Sequence, residues 1–257
     1  AEDGIRDTRT CLVGSEMCIR DSSSFAIFPL FAFAPLMLQI AQGYSPMLVG
    51  MAMLSLSLGW SLGSLGMGQV VQGMGERRAA ICGGVLLIAG CALTLSLNAF
   101  DSPWWTFAVF LLVGVGMGFV TLSTLLVVQQ SVDGSDLGVA TSSHQFARTL
   151  GGTVGIGVCG GLVNARLEAL FNTHEFSELT TKSGKAFAES PASNLEALMQ
   201  PELQDALPQA VNAAFKSAVT DGVTWVFWAV LAAAVCCAAI CVCLPAKQSS
   251  ERYRTPF

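Results

Sequence analysis

Charge is scarce in this sequence. Only 12% of its 257 residues are Asp, Glu, Lys or Arg, whereas 53% are hydrophobic. A soluble domain carries charge on about a quarter of its residues, so this chain lacks the polar surface that a water-soluble fold needs. The small net charge of -5 also argues against nucleic acid as a partner, because nucleic acid binds a basic face. We therefore expect membrane lipid to surround the chain.

Long apolar runs take the place of the missing polar surface. Six of them could cross a hydrocarbon core of about 30 Å as an α-helix. We predict membrane-spanning helices at residues 24–42, 47–67, 79–97, 104–128, 139–165 and 222–244. The predicted fold is therefore all-α, a polytopic membrane bundle over residues 23–246 followed by a tail at 247–257. A long polar stretch at 168–221 is predicted to be a loop.

Basic residues near the ends of the apolar runs predict the orientation of the chain, because short cytoplasmic loops are rich in Lys and Arg. Arg77, Arg78 and Arg148 fall on one predicted side of the membrane, and so does the basic tail. The short loops on the opposite side contain no Lys or Arg. We therefore expect a cytoplasmic carboxyl terminus and an external loop at 168–221.

The first 22 residues differ from the rest of the chain. AEDGIRD at 1–7 and LVGSEMCIRDS at 12–22 resemble translations of the oligonucleotides that flank inserts in sequencing libraries, in order and in frame. We interpret residues 1–22 as a non-native segment and leave them out of the fold. The alternative is an ordinary polar amino terminus. On our interpretation the natural protein starts upstream of residue 23, and its amino-terminal half is a missing partner of this chain.

A glycine-containing loop motif joins the second and third predicted helices. Gly68 and Gly75 allow two helix ends to approach closely, and the basic pair that follows faces the cytoplasmic surface. There the basic side chains can interact with helix carboxyl ends or with carboxylates of a neighbouring bundle. The alternative is an ordinary basic loop on the cytoplasmic side. The motif consists of Gly68, Gln72, Gly75, Arg77 and Arg78.

This loop resembles the repeated G-x-L-x-D-R-x-G-R-R signature of the major facilitator superfamily. Gln72 stands where that signature has an acidic residue, and Gly73 replaces the basic residue after it. This departure leaves open whether the loop forms a gating salt bridge.

Three further stretches resemble the fourteen-helix drug:proton antiporter branch of that superfamily. They are PLMLQ with GYSP at 35–46, the glycine run at 114–118, and ATSSHQFARTLGGTVG at 140–155. The resemblance implies proton-coupled multidrug efflux across a bacterial inner membrane, with small lipophilic molecules as substrates. It also implies two six-helix bundles, with two extra helices between them, that alternate access to a central cavity. This chain would be the carboxyl-terminal bundle.

Polar side chains inside the predicted helices are candidates for function, because burying them in lipid is costly. His144 and Arg148 are four residues apart and share a helix face. They could line a cavity or a cytoplasmic gate, or they could snorkel from the start of an interfacial helix. The candidates for a cavity or gate are Gln39, Gln129, Gln130, His144, Gln145 and Arg148.

Carboxylates are lacking from the predicted helices. All the acids between residues 23 and 165 fall in predicted loops, and the last predicted helix contains none. A proton-coupled carrier needs a titratable group within the membrane. We therefore expect the coupling acid in the missing half and assign no coupling residue here.

Glycines four residues apart predict close packing between helices, because they share one helix face without side chains. The predicted packing residues are Gly59, Gly63, Gly114, Gly118, Gly151 and Gly155. The run at 114–118 superficially resembles a dinucleotide-binding fingerprint, but its spacing is wrong and no strand precedes it.

Side chains for catalysis or metal binding are few. The only histidines, His144 and His174, are predicted on opposite sides of the membrane, so a membrane enzyme is disfavoured and no catalytic residue or cofactor is expected. A cysteine cluster could be a soft-metal site, but it has no His or carboxylate nearby, and we interpret it as small apolar side chains. Its members are Cys236, Cys237, Cys241 and Cys243. Two alternatives remain: a carrier of another small solute, or a fragment without activity on its own.

Overall fold

The structure is a computed structural model of the whole chain. It describes residues 24–25, 27–74, 76–98, 102–132, 134–171 and 209–243. Within these ranges the backbone is helical apart from short turns, and it contains no strand. The predicted all-α fold is therefore confirmed.

The described residues form six helices. We number them α1 to α6, and a short 3₁₀ turn at Leu95–Asn98 follows α3. Their bounds are Ile27–Ile40 for α1, Pro46–Met74 for α2, Glu76–Thr94 for α3, Pro103–Ser131 for α4, Leu137–Phe171 for α5 and Gln209–Cys243 for α6. Of these, α2 to α6 are each long and apolar enough to cross a membrane, and α1 is a shorter apolar helix. The chain is thus a multi-pass membrane protein.

Several helices are longer than the apolar runs that predicted them. Helix α2 continues to Met74 instead of ending at 67, and α5 continues to Phe171 instead of 165. Hydropathy marks only the part of a helix that suits lipid, whereas each residue added to an existing helix gains a backbone hydrogen bond. Polar ends can therefore stay helical outside the membrane.

The last helix shows the largest difference from the sequence prediction. Helix α6 begins at Gln209, so residues 209–221, which were predicted to belong to the external loop, are helical. The part of α6 that could span a membrane begins at Lys216, whereas the sequence predicted that the spanning helix begins at 222. The rest of the predicted loop, from residue 172 to residue 208, lies outside the described residues.

Helix α4 is the central element of the bundle. It packs against α2, α3 and α5, and α6 packs against α3 and α5. Phe110 and Val113 of α4 are completely buried, and Leu56 of α2 and Leu87 of α3 join them in one apolar core. A core of this kind holds the helices through close side-chain packing rather than through charge.

Glycines bring α2 and α4 into direct backbone contact. A Cβ atom at Gly59 would meet the carbonyl oxygen of Leu111, and a Cβ atom at Gly114 would lie 3.0 Å from the Cα atom of Gly59. Gly63 and Gly118 repeat this arrangement one turn further along. Any larger residue at these positions would push the two helices apart.

Two side-chain hydrogen bonds tie the connections at one end of the bundle. The chain reverses after α1 at Gly43, whose φ of +67° favours glycine. The neighbouring Gln42 donates from Nε2 to the carbonyl oxygen of Leu97 over 2.7 Å. Trp105 donates from Nε1 to the hydroxyl oxygen of Ser96 over 3.1 Å. The α1–α2 connection and the start of α4 are thereby both fixed to the 3₁₀ turn that follows α3.

Candidate functional site: an arginine between two aromatic rings

Arg148 lies on α5, in the part of this helix that could span a membrane, Leu137–Ala169. Its guanidinium carbon is 4.8 Å from the ring centre of Trp60 on α2 and 5.7 Å from the ring centre of Phe28 on α1. Both distances are within the range of about 6 Å over which a cation is attracted to an aromatic face. We call Arg148, Phe28 and Trp60 the arginine site.

A glycine on α5 makes room for the ring of Phe28. A Cβ atom at Gly152 would lie 2.6–2.9 Å from three carbon atoms of that ring, which is too close for any side chain. Because Gly152 follows Arg148 by one helical turn, the ring that covers the glycine also reaches the guanidinium. The same helix pair stays close at Gly155, where a Cβ atom would lie 3.1 Å from the Cγ atom of Pro29.

Trp60 is positioned by the close contact between α2 and α4. Its backbone nitrogen would lie 2.8 Å from a Cβ atom at Gly114, so the glycines of α4 hold this turn of α2 in place. The half-buried indole ring then extends towards α5. The arginine site thus depends on two glycine contacts, α1 against α5 and α2 against α4.

His144 lies one turn before Arg148 on the same face of α5. Only 5% of its surface is exposed, whereas the neighbouring Gln145 is exposed. A histidine that merely snorkelled at an interface would keep its ring outside the protein. The burial of His144 instead places a titratable ring beside the arginine site.

Two of the other polar candidates are half-buried near helix ends. Gln39 is half-buried near the end of α1, and Gln129 is half-buried near the end of α4. The side chain of Gln130 lies outside the described part of the chain. Their role at a cavity or gate stays a prediction.

The loop motif is described only in part. Gly68 falls inside α2, and a Cβ atom there would have nothing within 4 Å. Arg78 is exposed near the start of α3. Gly75 and the side chains of Gln72 and Arg77 lie outside the described residues. The proposed interactions of this motif therefore stay predictions.

The expectation that the last helix contains no acid is wrong. Helix α6 starts upstream of the predicted position. Asp221 therefore lies in the part of α6 that could span a membrane, Lys216–Ala239. Its side chain is exposed. The apolar residues Phe215 and Val219 upstream of 222 were the sequence signal that the helix extends this far.

Trp60 was missed as a site residue by sequence reasoning. It follows Gly59 directly and lies inside an apolar run. The sequence therefore does not distinguish Trp60 from a residue that only packs against other helices. Nothing in the sequence links residues 28, 60 and 148, which come from three different helices.

The cysteine cluster is likewise visible only in part. Cys236 is exposed and Cys237 is buried, so these adjacent thiols point to different sides of α6. Within the described ranges, no group of three His, Cys, Asp or Glu side chains could hold a metal ion.

The arginine site can bind a negative or hydrogen-bond-accepting group inside an apolar protein. The guanidinium is always charged and offers five N–H donors in a planar fork. Cation–π contacts stabilise a guanidinium by about 0.5–2 kcal/mol, depending on its burial, but aromatic rings are weak acceptors for its N–H donors. A carboxylate or carbonyl oxygen could therefore compete with the rings for Arg148.

Comparison with known proteins identifies the family. Residues 17–156, more than half of the chain, match the Major Facilitator Superfamily. The chain belongs to this superfamily. Its apolar, membrane-length helices are in keeping with this membership. The match begins at residue 17, within the segment interpreted above as non-native.

Several curated relatives in this superfamily are named as efflux or resistance proteins. The chain is 28% identical over 219 residues to the multidrug transporter protein MdtP of Bacillus subtilis, covering 80% of this chain and 40% of that protein. It is 28% identical over 160 residues to a tetracycline resistance determinant of Streptomyces rimosus, covering 60% of this chain and 46% of that protein. It is 24% identical to the efflux pump dotC of Dothistroma septosporum over 82% of this chain and 36% of that protein. The chain thus spans less than half the length of these relatives.

Proposed function

We propose that this chain is one bundle of a proton-coupled exporter that moves lipophilic, drug-like compounds by alternating access. The observation that carries the proposal is the similarity to a multidrug transporter protein along 80% of the chain. We place the protein in a bacterial inner membrane, with the carboxyl terminus in the cytoplasm. The other bundle would come from the amino-terminal half of the natural protein.

The arginine site is proposed to act as a contact that changes between transport states. It joins side chains of α1, α2 and α5, so any movement between these helices alters the distances from Arg148 to the two rings. A carboxylate of the other bundle, or a polar group of the substrate, could draw the guanidinium off the rings. The two arrangements would then differ by only a few contacts, which suits a switch between states.

Two alternatives belong to the same superfamily. The positive charge of Arg148 favours a carrier of an anionic solute, because a fixed cation in an apolar protein attracts an anion strongly. The isolated chain could also be inactive, since alternating access needs two bundles. The coupling acid is still expected in the amino-terminal half, and no residue of this chain is assigned that role.

The test begins with the complete coding sequence, recovered by a long read across residue 23. The full protein is expressed in bacteria that lack their main efflux pumps, and the accumulation of a lipophilic fluorescent dye is measured. We expect less dye in expressing cells and recovery of the dye signal when a protonophore is added. The chain of residues 23–257 alone should leave dye accumulation unchanged.

The exporter proposal would be contradicted if the full protein changed the accumulation of organic anions in the cells and left the accumulation of the dye unchanged. It would instead support the carrier of an anionic solute.

A further inference from the structure

The first half of α5 contains a second ionisable side chain besides that of the arginine site. His144 is 5% exposed and lies about one helical turn before Arg148. Side chains at this spacing share one helix face, with about 5–6 Å between their Cβ atoms. A buried imidazole and a half-buried guanidinium are therefore neighbours on the same apolar helix.

Among the described helices, those packed around this pair place no opposite charge beside it. Helices α1, α2 and α4 contain no Asp, Glu, Lys, Arg or His. In α6, Lys216 and Asp221 come shortly before Gly222. A Cβ atom at Gly222 would lie 3.4 Å from the Cα atom of Val163, which is about 28 Å along α5 from His144. The other ionisable side chains of α6 are cysteine thiols, which ordinarily titrate above pH 8.

Helix α5 itself offers no carboxylate close to the pair. Asp136, directly before the helix, is exposed and lies about 12 Å along the chain axis from His144. Arg166 and Glu168 lie towards the other end of α5, at least about 27 Å beyond Arg148. The first half of α5 thus has one permanent positive charge, on Arg148, and one side chain, His144, that becomes positive on protonation.

Protonation of His144 places two positive charges one turn apart inside the protein. Histidine is the side chain that ordinarily changes its charge between about pH 5 and pH 8, whereas a guanidinium stays charged throughout this range. At about 6 Å and an effective dielectric constant of about 20, two unit charges repel strongly enough to shift an equilibrium about 100-fold. Because Arg148 is half-buried and His144 is buried, the long arginine side chain is the one that can move away.

We propose that His144 is a pH-sensitive switch of the arginine site. While the imidazole is neutral, the guanidinium of Arg148 stays against the rings of Phe28 and Trp60. When the imidazole is protonated, the guanidinium leaves the rings for the open side of α5, where the next residue, Thr149, is exposed. This role rests on the switching proposed above for the arginine site. His144 senses pH in this role and moves no proton across the membrane.

The experiment follows Trp60 in the full chain by fluorine NMR in detergent micelles. Tryptophan is replaced by fluorotryptophan, and Trp60→Phe identifies the signal of Trp60. We expect this signal to move between about pH 8 and about pH 5.5 in the natural chain, because the cation leaves the indole face. His144→Gln should remove most of this movement. Arg148→Gln should do the same, because its imidazole still titrates but no guanidinium contacts the ring.

His174→Gln is the matched control, because His174 is the only other histidine in the sequence. This variant should keep the movement of the Trp60 signal. It also assigns the two ring signals of isotope-labelled histidine, and we expect the His144 ring to titrate with the same midpoint as the Trp60 movement. Circular dichroism checks that each variant is folded. If His144→Gln does not fold, the comparison of the two midpoints still tests the switch, because it needs only the natural histidine at position 144.

The proposal is overturned if the Trp60 signal of the natural chain stays in place over this pH range. It is also overturned if the signal moves as far in Arg148→Gln as in the natural chain, since His144 would then act on the ring without the arginine. Unequal midpoints for His144 and Trp60 would overturn it as well. The outcome is separate from transport, because a protein that exports no dye can show this response and an exporting protein can lack it.

Discussion

At the scale of single residues, the main feature is an arginine within an apolar helix, close to two aromatic rings. Arg148 is half-buried, and its guanidinium lies within cation–π distance of both Phe28 and Trp60. Each aromatic ring stabilises the cation because its electron-rich face attracts positive charge. A leucine side chain of similar volume has no such face. The stabilisation should therefore depend on the pair of residues and not on either residue alone.

A double-mutant cycle measures this dependence. We expect Arg148→Gln and Trp60→Leu to show a coupling free energy of about 1–2 kcal/mol, because each variant removes the same cation–π contact. The free energy is obtained from denaturant unfolding in detergent. The control cycle pairs Arg148→Gln with Trp104→Leu, since Trp104 is 81% exposed at the start of α4. A coupling as small as in the control cycle would contradict the arginine site.

At the scale of helices, backbone contact through glycine determines which elements pair. Gly59 and Gly114 face each other between α2 and α4, whereas Gly50 on α2 has nothing within 4 Å of its Cβ position. Both Gly59 and Gly50 lie inside one helix, so alanine would improve helix propensity at each by about 1 kcal/mol. Only their surroundings differ.

The two glycines of α2 should consequently respond to alanine with opposite signs. We expect Gly59→Ala to destabilise the bundle by about 1–3 kcal/mol, because the new methyl group overlaps the backbone of α4. Gly50→Ala should be neutral or slightly stabilising. Thermal unfolding in detergent compares the two variants directly. Equal effects would mean that α2 and α4 do not approach as closely as described.

At the scale of the whole molecule, the distribution of Lys and Arg predicts the orientation in the membrane. We expect alkaline phosphatase fused after residue 190 to be active outside the membrane, because this position lies in the predicted external loop. Green fluorescent protein fused after residue 247 should fluoresce in the cytoplasm. Both reporters are measured in the same bacterial host.

Exchanging the two reporters provides the control for orientation. Phosphatase after residue 247 should be inactive, and fluorescent protein after residue 190 should be dark. If the two reporters are active at the exchanged positions, the topology is the reverse of the predicted one. The arginine site would then lie towards the external end of α5.

The sequence alone determined the class of this protein and its placement in lipid. Long apolar runs and scarce charge leave no other solvent for the chain, and the loop motif and glycine runs were enough for the superfamily, which the comparison confirmed. Helix ends were less accurate, because hydropathy reports contact with lipid and not the continuation of backbone hydrogen bonds. For this reason α6 begins at Gln209 and includes Asp221.

Only the tertiary structure decided which polar residues have partners. Arg148 was a candidate by its chemistry, but Phe28 and Trp60 come from helices far apart in sequence, and no periodicity within one helix predicts their meeting. Likewise, Gly50 and Gly59 are the same residue type in one apolar helix, and only the position of α4 distinguishes them. Helices form from local patterns, whereas contacts between helices depend on how the side chains of distant segments fit together.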